Sequence, residues 1–295
     1  MRNLKLATPR MTGTDVIDWQ TFLTGRTLFT DAIDGQFGPL TAQATKNYQT
    51  SAGLTADGEV GPRTFASAIA DGFESSTRTL ELGMDASVSC LKFAAGIAGL
   101  QMKFAVRYYA QDTGKCITAA EARALSSAGL KLVMVYQDSQ DKIQFFDKTQ
   151  GTDNAQRALK LAAKIGQPAG SAIYFAADFD PTADEVRGPI SDYFMAVNQV
   201  FNASAVKYRI GVYSSGLTCR LLRDASLVQF AWLSQSVRFA EYNAFRPRAH
   251  MIQVFPNRDI LGGKLNIDDD IAQVADYGAF QLAGTVRAAA AGRKA

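Results

Sequence analysis

Residues 171–180, SAIYFAADFD, end in two carboxylates with one residue between them. The apolar run ahead of them has the length and composition of a buried strand, and side chains alternate along a strand. Ile173, Phe175, Ala177 and Phe179 then share one face, and Tyr174, Ala176, Asp178 and Asp180 share the other. At ~3.3 Å rise per residue the two acids are expected on one side with ~6–7 Å between their Cα atoms. Two anions in a partly desolvated cleft disfavour each other's charge, so one acid keeps its proton beside one that stays ionised. Glycoside hydrolysis uses such a pair: a proton donor for the leaving oxygen and a carboxylate as base or charge stabiliser. The alternative is that Asp180, which precedes Pro181, is a turn residue.

The elements that position these acids can be read around them. Strand-like runs occupy residues 82–87, 103–110, 130–139, 171–180, 208–216, 230–236, 250–255 and 265–272. Between several of them lie helical patterns with recognisable ends. Thr118 and Glu121 have the spacing of a capping box, with Gly129 closing that helix. Residues 152–165 form a second helical stretch ahead of Gly166 and Pro168, and residues 186–201 a third, interrupted at Gly188-Pro189. Strand–helix alternation predicts a parallel sheet, and eight units predict a (β/α)8, TIM-like barrel. An open doubly wound sheet is the alternative. The span 81–277 is short for the barrel, so helices around the last three runs are expected to be short or missing.

Polar residues gather at the C-terminal ends of the runs: Asp85, Arg107, Tyr108, Tyr136, Gln137, Asp138, Asp178, Asp180, Tyr213, Ser214, Gln235 and Gln253. In a barrel those ends form the active face. Closure also sets run eight beside run one, which brings Asp268 or Asp270 near Asp85; a solvated loop or a cation site is the other reading of residues 268–270. The candidate catalytic residues are therefore Asp85, Asp178, Asp180 and Asp268. Arg107, Tyr108, Tyr136, Gln137, Tyr213, Trp232, Gln253 and Asp270 are candidates for binding a sugar substrate. His250, the single histidine, opens its run at the opposite end. No HExxH, CxxC, phosphate-loop or dinucleotide pattern occurs, and carboxylate hydrolysis needs neither metal nor cofactor, so none is expected.

The first 73 residues have a different texture. DGQFGPLT (34–41) and DGEVGPRT (57–64) repeat one octet. Each reads as an Asp-Gly turn followed by Pro at the start of a helix. With an amphipathic stretch from about Thr14 carrying Val16, Trp19 and Leu23, they predict a small three-helix module. The polar residues 74–80 are expected to be a linker, residues 81–277 the barrel, and residues 278–295 a frayed tail.

The octet pattern D-G-x-x-G-P-x-T with the intervening NYQTSAGLTADG resembles the type 1 peptidoglycan-binding domain over residues 12–72. That resemblance implies a surface groove for the stem peptide or glycan of peptidoglycan. GMDAS near residue 85, IYFAADFD and the late IDDDIA resemble the glycoside-hydrolase-like domain of unknown function 1906, similar in fold to the family 25 lysozymes. By that likeness Asp85 and Asp268 match the early and late acids of the lysozyme mouth, and Asp178 and Asp180 its Asp-x-Glu pair. The general-acid Glu would be Asp180, one methylene shorter.

The rest of the sequence bounds the class. At 295 residues and 47% hydrophobic, the chain suits two folded units, and a net charge of +3 demands no nucleic acid partner. No window approaches the ~20 apolar residues of a membrane span. The first residues lack the apolar core of a secretory signal, so release through a holin-type pore or contact-dependent secretion is the expected route to the periplasm or cell wall. Peptidoglycan is the expected partner, with an immunity protein or secretion-system component besides, and the chain is expected to be a monomer. Cys90, Cys116 and Cys219 are too dispersed for a disulfide framework.

Overall fold

The structure, a computed structural model, describes residues 1–283. Residues 284–295, which include the basic end of the sequence, lie outside the described residues. Three helices open the chain: α1 (Thr14–Gly25), α2 (Pro39–Ser51) and α3 (Pro62–Ala70). Both octets behave as the sequence predicts, with Pro39 and Pro62 as the first helical residues.

A buried glutamine locks each octet turn. Gln20 Nε2 donates to Asp34 Oδ1 (2.9 Å), and Gln20 Oε1 accepts from the Gly35 amide (2.9 Å). Gln49 repeats the contacts on Asp57 (2.7 Å) and Gly58 (2.8 Å). Gly35 and Gly58 sit at φ +68° and +79°, where a side chain would be strained. Each glutamine follows an aromatic residue of the module core, Trp19 or Tyr48, and those rings meet edge-on at 5.7 Å. Gln49→Ala strands the Gly58 amide and is expected to cost about 1–3 kcal/mol, read from urea denaturation.

The second unit is a closed eight-stranded barrel. In chain order it comprises β1 (Glu81–Asp85), α4 (Ala94–Gly99), β2 (Phe104–Tyr109), α5 (Ala119–Ser127), β3 (Lys131–Tyr136), α6 (Lys148–Ile165), β4 (Ala172–Ala176), α7 (Ala183–Glu185), α8 (Ser191–Ala203), β5 (Arg209–Ser214), α9 (Gly216–Asp224), β6 (Phe230–Leu233), α10 (Tyr242–Phe245), β7 (Met251–Ile260) and β8 (Leu265–Ala272). All eight predicted runs form strands, and the barrel closes rather than lying open.

The fully parallel expectation needs correction. Strands β1 to β7 run parallel to one another, each pairing with the next, but β8 runs antiparallel to both β7 and β1, so the barrel is mixed. A parallel return needs a crossover of a dozen or more residues, and only residues 261–264 join β7 to β8. They form a hairpin turn with positive φ at Leu261, Gly262 and Gly263.

Inside the barrel, large side chains meet residues without one. A Cβ on Gly83 would fall 2.6 Å from the Phe104 ring, and one on Gly211 would fall 2.4 Å from Tyr174. Tyr174 donates to the Tyr277 carbonyl (2.8 Å), closing the end opposite the predicted active face. The barrel reaches past the expected boundary at 277: Phe280 pairs with Leu132, and Phe280 and Leu282 are buried in the outer core. Cys90 and Cys219 are buried thiols.

No crossover helix covers the outside of β7, β8 and β1. The N-terminal module lies there instead, and Leu82, Val254 and Ile271 belong to the same apolar cluster as Trp19, Tyr48 and Phe65. The linker is pinned at both ends. Asp18 accepts from the Ser76 amide (3.0 Å), and Arg78 donates to the Pro247 carbonyl (3.2 Å). No helix among the described residues is long and apolar enough to cross a membrane.

Candidate active site

Period-2 alternation decides which predicted residues meet. Tyr108, Val135, Gln137, Asp178, Tyr213, Trp232, Gln235, Gln253 and Asp268 line a cavity of about 150 Å³ at the C-terminal mouth of the parallel strands. The antiparallel course of β8 puts Asp268 directly opposite Asp85, and Asp270 opposite Gly83, one layer deeper.

Asp85 lies beneath the cavity, nearly sealed from solvent. Its Oδ1 accepts from the Tyr108 hydroxyl (2.8 Å) and its Oδ2 from Gln253 Nε2 (2.8 Å). Gln253 Oε1 accepts from Tyr213 (2.7 Å) and from the Gln235 amide (3.3 Å), which fixes the orientation of its side-chain amide. Burial, followed by the charge of Asp268, raises the Asp85 carboxyl to about 7, and the bonds from Gln253 and Tyr108 oppose that rise. Asp270 is pushed far above the usual carboxylate range by burial and then by Asp85. Trp232 Nε1 donates to its Oδ1 (2.8 Å), while its Oδ2 has no donor. An ionised oxygen buried without a donor is costly, so Asp270 is the neutral member of this pair.

Asp178 faces these acids across the mouth. Burial raises its carboxyl, and the bond from Gln137 Nε2 (3.2 Å) and the charge of Lys115 lower it. Burial also raises Asp268, whose Oδ1 accepts from Gln235 Nε2 (3.2 Å). Burial thus raises the proton affinity of all four acids of the mouth, and hydrogen bonds and Lys115 oppose that rise to different extents.

Three expectations change. The β4 ladder ends at Ala176. Beyond it, the Asp178 amide is still held, donating to the Gln140 carbonyl (2.8 Å). Asp180 lies beyond that support and is exposed; its Oδ1 accepts from the Ala240 amide (2.9 Å), and it does not line the cavity. Arg107 alternates with inward-facing Tyr108 and so points outward, where it is fully buried against Glu121 (2.6 Å) and the carbonyls of Ala86 and Lys115. Tyr136 likewise alternates with Val135 and donates to Asp138 (2.5 Å) and Asn154 (3.1 Å) behind the sheet.

Glu121 is therefore only half a capping residue. Its amide donates to Thr118 Oγ1 (3.1 Å), but its carboxylate holds Arg107 and the Cys90 amide (2.8 Å). His250 sits at the closed end, its ring pushed down to about 4 by burial and Arg223. Lys115 is absent from the expected set. Its Nζ lies 4.2 Å over the Tyr108 ring and donates to Gln137 Oε1 (3.0 Å). Its position on a loop just past a strand's C-terminal end is the one signal that could have found it.

The Asp85 shift carries a stability consequence. A carboxyl raised from 3.8 to about 7 on folding binds its proton more tightly in the folded state. The stability it contributes is full below the unfolded pKa and is lost as pH rises through about 7. Asp85→Asn is expected to be more stable than wild type at pH ~8 and to show less loss of stability between pH ~5 and ~8, measured from urea midpoints.

Comparison with known proteins agrees with this geometry. The family model for the Rv2525c-like, glycoside hydrolase-like domain matches residues 95–272. A model described as a candidate peptidoglycan binding domain matches residues 12–67. YbfG of Bacillus subtilis is 27% identical over 234 residues, covering 74% of this chain and 31% of that protein. FadG of Bacillus subtilis is 24% identical over 259 residues, covering 83% of this chain and 44% of that protein. The chain thus spans less than half the length of either. Rv2525c of Mycobacterium tuberculosis, named as a candidate peptidoglycan hydrolase, is 28% identical over 152 residues, covering 51% of this chain and 61% of that protein. The crystal structure of the Tat-secreted Rv2525c with L-tartrate aligns with a TM-score of 0.58 and 24% identity, over 68% of this chain and 99% of that one; the two share a fold.

Proposed function

Because the chain belongs to the family of Rv2525c-like, glycoside hydrolase-like domains, we propose that it hydrolyses glycosidic bonds in peptidoglycan. The observation that carries this reading is the mouth cavity with Asp178 on one side, Asp268 on the other, and Asp85 and Asp270 beneath. Asp178, whose proton affinity burial raises, donates to the leaving glycosidic oxygen. Asp268, held by Gln235, stabilises positive charge on the sugar or activates water. Tyr213, Trp232, Gln137 and Gln253 supply ring faces and amides for a pyranose. The bond most suited to this apparatus is the β-1,4 link from N-acetylmuramic acid to N-acetylglucosamine, which makes the chain a muramidase. The N-terminal module holds the polymer and raises its local concentration. The chain then works outside the cytoplasm, as a phage endolysin or an antibacterial effector; a co-purifying immunity protein marks the second.

The test is release of reducing ends from purified peptidoglycan. After borohydride reduction and acid hydrolysis, muramitol marks a muramidase and glucosaminitol a glucosaminidase. A second reading, a wall-binding protein without catalysis, is favoured by the engagement of Asp180 with the Ala240 amide. Cosedimentation with peptidoglycan without any reducing-end release would select it.

A further inference from the structure

Residues 268–270 are three consecutive aspartates on β8, and the strand splits them between two faces. Asp268 and Asp270 point into the barrel. Asp269 points out and is 1% exposed beneath the N-terminal module. Arg258 of β7 holds it with two bonds, from Nε (2.7 Å) and Nη2 (2.9 Å). The other partner is Arg63 Nη1, and Arg63 Nη2 donates to the Pro256 carbonyl (2.8 Å). Arg63 belongs to α3 and to the second octet, DGEVGPRT. One arginine of the module therefore ties together the β7–β8 hairpin and the middle aspartate of the acidic strand.

We propose that Arg63 is a positioning residue for the acids of the barrel mouth, so that the N-terminal module completes the active face as well as binding the wall. This rests on the glycoside hydrolase reading above. The Arg63 fork fixes β8 against β7 at the level of Asp268, and its charge acts on Asp268 from behind the strand.

On the inner face Asp268 meets Asp85 of β1, Tyr108 of β2, Asp178 beyond β4, Gln235 beyond β6 and Asp270 of its own strand; on the outer face lie Asp269 and its partners Arg63 of α3 and Arg258 of β7. Burial and the neighbouring aspartates push the Asp268 carboxyl up, and Arg63 opposes them. Removing that cation moves the carboxyl further up, so Asp268 becomes ionised only at higher pH.

The experiment uses the full chain with Arg63→Gln, Arg63→Met as a second neutral variant, and Arg63→Lys. In the neutral variants the acidic limb of kcat/KM for reducing-end release is expected to move up by about half a pH unit or more. kcat is expected to fall several-fold, and cosedimentation with peptidoglycan to stay within about twofold of wild type. The lysine variant, which keeps the charge, is expected to restore the limb. A merely structural anchor would leave the limb in place and lower only stability or wall binding; that result overturns the proposal. Titration of the Asp268 carboxyl by carbon-13 NMR reads the same shift without substrate. If wild type releases no reducing ends, the hydrolase reading fails, and an unmoved Asp268 titration in a folded neutral variant still overturns the role of Arg63.

Discussion

Asp178→Asn is expected to lower reducing-end release from purified peptidoglycan by about 10²–10⁴-fold, the contribution of a positioned general acid or base. Three features single out this residue. Its carboxyl lines the mouth cavity, burial raises its proton affinity, and the bond from Gln137 Nε2 fixes one of its oxygens. Asparagine keeps the shape and the contact with Gln137 but carries no transferable proton. Cosedimentation with peptidoglycan is expected to stay at the wild-type level, because the binding helices lie outside the barrel wall. Asp180→Asn is the informative companion. Its side chain is already engaged by the Ala240 amide outside the cavity, so a loss of about tenfold or less is expected. If instead Asp180→Asn is the inactive variant and Asp178→Asn is not, the proton donor is Asp180 and the loop carrying Ala240 must release it on binding.

Glu121→Ala is expected to destabilise the chain by about 3–5 kcal/mol, the cost of stranding one partner of a buried ion pair. Both Glu121 and Arg107 are fully buried. The carboxylate also accepts from the Cys90 amide (2.8 Å) and from Ser89 (3.1 Å), so its loss leaves three donors short of an acceptor. Urea denaturation measures the cost. Glu121→Gln, which keeps an acceptor oxygen, is expected to fall between Ala and wild type. Arg107 holds the carbonyls of Ala86 and Lys115, and these belong to the two loops that flank Asp85 and Tyr108. The variant is therefore expected to lose activity before it loses its fold as temperature rises.

The strands were legible because alternation and turn residues mark them, and all eight runs became ladder strands. The direction of β8 was not. The strand pattern of run seven breaks at Phe255-Pro256, because Pro brings no amide to a ladder; β7 nevertheless continues through a register shift between Val254 and Arg258 to Ile260. That continuation shortens the connection to four residues and forces the reversal. Arg107 and Tyr136 illustrate the limits of reading polar residues by position alone: once Tyr108 and Val135 face in, the strand period turns their neighbours out. Asp180 shows another limit, since alternation loses its meaning where the ladder ends. Glu121 was legible only as a cap, because nothing local announces an arginine arriving from another strand. The octet turns were read correctly from Gly and Pro, but the glutamines that lock them come from the helices before.

The seat of the N-terminal helices against β7, β8 and β1 limits how freely this chain can be recombined. A barrel expressed without residues 1–73 would present Leu82, Val254 and Ile271 to water and leave Asp269 with one arginine instead of two. Swapping the anchor for one of another specificity would require grafting α3 and its arginine along with the new specificity.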